Sequence, residues 1–230
     1  MIDSLEVIAH RGDPINATEN SLEAIRYAID HGSRIIEIDI RLSSDGEVVL
    51  VHDETTERIH GEPRPVADQT LAELRTLRAA DGSGISTLAE ALEVVAGRGV
   101  LLVDMTSAEF AAPAVAIVHA AGERGTAWCG DHEALKVVRR LLPEAEIYLS
   151  MDEEPDLPPA ELVEELAPAW INPSHQAITA EYAAEVSERG IGLSAWTVDN
   201  ETEAARLVQL GAGRIISNRP SEIRTFLKGC

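Results

Sequence analysis

Ile35-Ile36-Glu37-Ile38-Asp39-Ile40, then Ser43-Ser44-Asp45-Gly46, then Glu47-Val48-Val49-Leu50-Val51-His52: the reading of this stretch decides the fold. Its first run is apolar on nearly every position, as expected of a parallel strand covered on both faces. Asp45-Gly46 suits a tight hairpin with positive φ, so the strand is predicted to continue and fold back above a rim. Glu37 and Asp39 alternate with Ile38 and share one face of the strand.

Seven further runs of the same kind lie outward from it: Val7 to His10, Val100 to Asp104, Ala127 to Gly130, Ile147 to Ser150, Trp170 to Asn172, Leu193 to Val198, and Arg214 to Ser217. Amphipathic segments separate them. Leu22, Ile25 and Ile29 share a helical face before Gly32. Ala134, Val137, Val138 and Leu141 share another before Pro143, and Ala204, Leu207 and Val208 a third before Gly211. Strand–helix alternation implies right-handed βαβ units, and eight of them close naturally into a ring. The expected fold is α/β: a single (β/α)8 TIM barrel with a short hairpin extension after strand 2. Residues 53 to 86 are the least regular stretch.

The bulk properties agree. A chain of 230 residues fits one barrel. Hydrophobic residues make up 45% and aromatics only 3%, so the core must be built mostly of Ala, Val, Ile and Leu. Lys and Arg number 19 against 40 Asp and Glu, a net charge of −21. Such a surface repels polyanions, so no nucleic acid is expected as a partner. No stretch approaches the roughly 18 apolar residues of a membrane span. The two cysteines, Cys129 and Cys230, do not suggest a disulfide framework. With no secretion signal visible, the expected location is cytoplasmic. The oligomeric state is not legible.

Polar residues gather at the ends of the apolar strands: His10 and Arg11, Glu37 and Asp39, His52, and Asp104. In barrels, catalytic groups come from the C-terminal ends of different strands, so these residues should converge on one rim. Two carboxylates on one face of an apolar strand repel unless a cation lies between them. With Asp104 they make three hard oxygen ligands, suited to Mg²⁺ or Ca²⁺. Alternatively, they are rim carboxylates bonded to helix N-termini. His10 and His52 are candidates for acid and base, since imidazole changes charge near neutral pH. Arg11 offers a planar fork for a phosphate or an ion pair with Glu19. Asn20 and Ser21 read as helix caps, and Trp196 as core or as a floor for substrate. Asn172 and His175 are further candidates for the site. His31, His60, His119 and His132 read as surface or helix residues.

Taken in order, His10-Arg11-Gly12, Glu19-Asn20-Ser21, Glu37-Ile38-Asp39, Ser44-Asp45-Gly46 and His52-Asp53 resemble the signature of the glycerophosphodiester phosphodiesterases. The resemblance continues through Ser86-Thr87-Leu88, Ala195-Trp196-Thr197-Val198 and Ile216-Ser217-Asn218-Arg219-Pro220, and so covers nearly the whole chain, residues 1–230, as one domain of this kind. It implies a TIM barrel that hydrolyses a small-molecule glycerophosphodiester to an alcohol and glycerol phosphate with a divalent cation, Mg²⁺ or Ca²⁺. Glu37 and Asp39 match the family's metal ligands, His10 and His52 its acid–base pair, and Arg11 its phosphate-binding arginine. Glu19 and Trp196 would support the site or line the substrate pocket.

One motif departs from the family. The third ligand usually sits in Glu-x-Lys; here the stretch is Asp104-Met105-Thr106. Asp104 can still ligate, but Thr106 removes a phosphate-facing cation and implies slower or differently specific turnover, unless a protonated histidine supplies the missing charge. The loop after His52 is also short, which implies an open site. Sphingomyelinase D-like barrels, which form a cyclic phosphate as a lyase does, share the histidine pair and the Asp ligand but not the C-terminal motif. A barrel that only binds phosphodiesters is a further alternative, against which the retained histidine pair argues.

Overall fold

The structure, a computed structural model, describes residues 5–122, 125–151 and 156–229. Strand β1 (Glu6–Ala9) leads through helix α1 (Leu22–Asp30) to β2 (Ile35–Leu42), which turns back as the short antiparallel β3 (Val48–Leu50). The stretch that follows holds β4 (Thr55–Thr56), the one-turn α2 (Glu57–His60), β5 (Glu62–Pro65) and α3 (Leu71–Leu74). Regular alternation then resumes: α4 (Leu88–Val95), β6 (Val100–Met105), α5 (Ala111–Ala120), β7 (Thr126–Gly130), α6 (His132–Leu141) and β8 (Glu146–Met151). It finishes with α7 (Ala160–Leu166), β9 (Trp170–Pro173), α8 (Ala180–Glu188), β10 (Gly192–Ala195), α9 (Glu201–Gln209), β11 (Arg214–Ser217) and α10 (Pro220–Lys228).

The sheet runs β1-β11-β10-β9-β8-β7-β6-β2, and β1 pairs again with β2, so eight parallel strands close a ring with β3 outside it. The expected barrel and hairpin are both present. Alternation along each strand then sorts the side chains. Val7, Ile36, Ile38, Leu101, Val103, Trp128 and Ile147 face outward into the core shared with the helices. Ile8, Ile35, Leu102, Ala127, Tyr148 and Ile216 fill the ring's interior. The residues two positions further along the inward faces are His10, Glu37, Asp104, Cys129, Ser150 and Asn218. The site is therefore the uppermost layer of the barrel's own packing.

The structure corrects the expected strands in one place and orders a stretch that shows little pattern in another. The seventh ring strand stops at Ala195 instead of reaching Val198. Trp196 instead bridges to Ser174, and its indole N–H donates to the Asn172 carbonyl at 2.9 Å. Residues 53 to 86, which show little pattern, are tied down by a small core of Val49, Val51, Val66, Leu74 and Ile85. The buried Gln69 side chain bonds the Arg64 and Pro65 carbonyls there, so the stretch is an ordered flap against the hairpin.

Candidate active site

An open cavity of about 630 Å³ lies at the C-terminal end of the ring. His10, Arg11, Glu37, Asp39, His52, Asp104 and Trp196 all line it, so residues from five places in the chain meet there. Glu37, Asp39 and Asp104 each present an oxygen within 4.8 Å of the others. Register explains the meeting, because Asp39 lies beside Asp104 and Asp104 beside Cys129 across adjacent strands.

Two glycines permit this closeness. Gly130 (φ +104) lies against Asp104 Oδ1 and the Met105 carbonyl, where a Cβ has no room. At the first strand, Arg11 (φ 55) and Gly12 (φ 84) turn the chain so that the Arg11 N–H donates to Glu37 Oε2 at 2.9 Å. A Cβ on Gly12 would meet Ala24. Arg11 Nη1 donates to Glu19 at 2.9 Å while its Nε lies 3.2 Å from Asp39 Oδ2. The ion pair with Glu19 and the placement of the fork at the site therefore hold together.

Burial and mutual repulsion act on the carboxylates. Burial, then Asp39 and Asp104, raise Glu37 well above the ordinary carboxylate range. Burial and then Asp39 push Asp104 up to about 7. The Asp104 carboxylate in turn accepts a hydrogen bond from the Cys129 thiol, which burial and the acidic neighbours raise well above its usual range. Asn20 plays a part that its expected capping role does not include. Its side-chain NH2 donates to Asp39 Oδ2 at 2.7 Å, and its Oδ1 accepts from the Asp39 N–H at 3.0 Å. Ser21 alone caps α1.

Both histidines are fixed through Nδ1. Asp53 Oδ1 lies 2.6 Å from His52 Nδ1, and a carboxylate can only accept, so Nδ1 carries the proton. Arg41 holds the same residue by donating twice to the His52 carbonyl, at 2.9 and 2.8 Å. His10 Nδ1 lies 2.7 Å from Asn218 Oδ1, and Asn218 Nδ2 donates to Asp199 at 2.7 Å. That second bond sets the amide's orientation, so His10 Nδ1 is a donor too. Its Nε2 faces the carboxylates, 3.8 Å from Glu37 Oε2. Burial and then Arg11 lower the pKa of His10 and favour the neutral ring.

Thr106, Asp131, His132, Ser150, Asp156, Asn172 and Thr197 form the remaining polar wall. His132, expected to be a surface or helix residue, begins α6 and in addition faces the cavity, where its Nε2 donates to the Ser150 carbonyl at 2.8 Å. His175 does not line the cavity; it pairs with Glu203 at 2.9 Å. Cys129 is a free thiol, and Cys230 lies outside the described residues.

The model of the Glycerophosphoryl diester phosphodiesterase family matches residues 10–222. The chain belongs to this family. It is thereby a phosphoric diester hydrolase. It is similar to the glycerophosphodiester phosphodiesterase of Caldanaerobacter subterraneus subsp. tengcongensis, 28% identical, with 96% of this chain and 97% of that one covered. Among solved structures it is similar to an Oleispira antarctica phosphodiesterase in complex with its product sn-glycerol-3-phosphate. That match has a TM-score of 0.89 and 25% identity and covers 97% of this chain and 96% of the other. A glycerophosphodiester phosphodiesterase from Thermotoga maritima superposes with a TM-score of 0.79 at 26% identity, covering 98% of both chains. No helix among the described residues is long and apolar enough to cross a membrane.

Proposed function

We propose that this chain, acting as one domain, hydrolyses glycerophosphodiesters to an alcohol and glycerol phosphate with the help of a divalent cation. The observation that carries this reading is the meeting of three carboxylates and two Nδ1-anchored histidines around one cavity. The donor set fits a hard cation. Glu37, Asp39 and Asp104 supply only oxygen, and the raised pKa values of Glu37 and Asp104 mark a cluster whose negative charge Arg11 alone does not offset. Those three residues would hold Mg²⁺ or Ca²⁺. A cation bound there would supply positive charge to the phosphate.

The chain's own groups divide the remaining work. Arg11 presents its fork to the phosphate and neutralises charge that builds as the diester is attacked. Neutral His10, with its Nε2 lone pair toward the site, takes the proton of the nucleophile, which is water or the neighbouring glycerol hydroxyl. His52, carrying a proton on each ring nitrogen, keeps its Nδ1–H on Asp53 and delivers the Nε2 proton to the leaving alkoxide, ending as the neutral ring. Trp196 forms part of the wall against the alcohol. A cytoplasmic location is proposed, in keeping with a chain of only two cysteines that offers no disulfide framework.

The test is incubation with glycerophosphocholine and glycerophosphoethanolamine in Mg²⁺, in Ca²⁺ and in EDTA, with products followed by phosphorus NMR. Metal-dependent release of glycerol phosphate is expected, falling by a factor of about 100 or more in His10→Ala. A cyclic phosphate as the final product would replace hydrolysis with lyase chemistry. No cleavage with either metal would leave a binding barrel.

A further inference from the structure

We propose that Arg58, on the helical turn α2 of the flap, is a positioning residue that couples the phosphate-facing Arg11 to His52. The inference rests on the phosphodiesterase reading. An alternating chain of charges runs from the carboxylate cluster round the mouth of the cavity: Asp39, Arg11, Glu19, Arg58, Asp53, His52. Arg11 Nη1 donates to Glu19 Oε1 at 2.9 Å. Arg58 grips the same carboxylate with both terminal nitrogens, Nη2 to Oε1 at 2.7 Å and Nη1 to Oε2 at 2.9 Å. Its Nε donates to Asp53 Oδ2 at 2.6 Å, while Asp53 Oδ1 takes the His52 ring. Arg58 thus uses all three kinds of guanidinium nitrogen to hold two acids, each of which holds a different member of the site.

The fold explains why Arg58 can do this. Its turn ends at Gly61 in the left-handed conformation and is flanked by the paired β4 and β5. Val66 and Leu74 then anchor the flap in the small core over the hairpin. Without Arg58, Glu19 would be pinned by Arg11 alone, and Asp53, 28% exposed, would keep only His52 and be free to rotate. Exposed ion pairs of this kind add little to stability. Orientation is different, because a displacement of about 1 Å in a reacting group costs on the order of a hundredfold in rate. A lysine keeps the charge but lacks the fork.

The experiment measures kcat/KM on glycerophosphocholine for wild type, Arg58→Ala and Arg58→Lys, with Tm recorded alongside. Both variants are expected to lose about tenfold or more in kcat/KM while Tm stays within about 2 °C of wild type. Millimolar guanidinium should restore much of the Arg58→Ala activity, and methylammonium should not. A kcat/KM within about threefold of wild type, or a loss that guanidinium leaves untouched, overturns the proposal. A wild-type protein that cleaves no diester sinks the hydrolase reading separately. Arg58 is then judged by calorimetric binding of inorganic phosphate in Mg²⁺: weaker binding in Arg58→Ala sustains the coupling to Arg11, and equal binding overturns it.

Discussion

His10 and His52 are anchored through the same ring nitrogen by different partners, an amide in one case and a carboxylate in the other. The amide of Asn218 is itself oriented by Asp199, so replacing it frees the His10 ring without adding charge. Asn218→Ala should lower kcat by about a hundredfold with a smaller change in KM; equal changes in both would mean that Asn218 serves substrate binding. Thr106 lines the same cavity. Thr106→Lys, restoring a cation beside the phosphate, should raise kcat/KM by about tenfold, or ~1.4 kcal/mol. An unchanged value would show that the missing lysine is not what limits turnover. The proposed acid–base and ligand residues were legible because they stand at strand ends within short local motifs. Asn218 belongs to a local motif, yet its tie to His10 is not legible in the sequence, since the two lie 208 positions apart and only closure of the ring joins them. Asn20 read as a cap because its neighbour is one; its bonds to Asp39 depend on a positive φ that no spacing reveals.

Gly130 at the end of β7 leaves no room for a Cβ beside the Asp104 carboxylate of β6. Gly130→Ala, at positive φ and with a Cβ forced against that carboxylate, should cost more than about 1 kcal/mol in urea unfolding. It should also weaken Mg²⁺ binding by calorimetry; wild-type affinity would show that Asp104 can move aside. The carboxylate layer also makes a prediction about pH. Asp104 has its pKa pushed up to about 7, so in the metal-free fold it keeps a proton that the unfolded chain releases near pH 4. Between those values the folded state binds more protons, and metal-free stability falls as pH rises, levelling above about 7. Cations need the ionised form, so the Tm difference between Mg²⁺ and EDTA should be wider at pH 8 than at pH 5. A gap that shrinks with pH would remove the cluster as the metal's seat. At this scale the sequence was informative where apolar runs and caps repeat. It failed at Trp196, where a side chain tied to Asn172 ends the strand although the residues remain strand-like.

Across the whole molecule, a net charge of −21 surrounds a site proposed to take an anionic diester. Long-range repulsion should slow encounter at low salt, so kcat/KM should rise as ionic strength goes from about 10 mM to about 150 mM, where screening shortens to about 8 Å. A fall instead would mean that the local field of Arg11 and the cation outweighs the surface. The barrel and its hairpin were readable because they repeat a simple alternation, whereas the flap's order was not, because its small core joins residues with no shared period. The hairpin has a mechanical consequence. Glu37, Asp39 and Asp104 belong to the closed ring, but His52 follows β3, outside it, like the tip of a cantilever braced by Arg41 and the flap. Warming should loosen the tip before the hoop. Turnover would then fade at temperatures where a cation held as proposed by those three carboxylates stays gripped, and the enzyme would pass through an idle but loaded state on its way to unfolding.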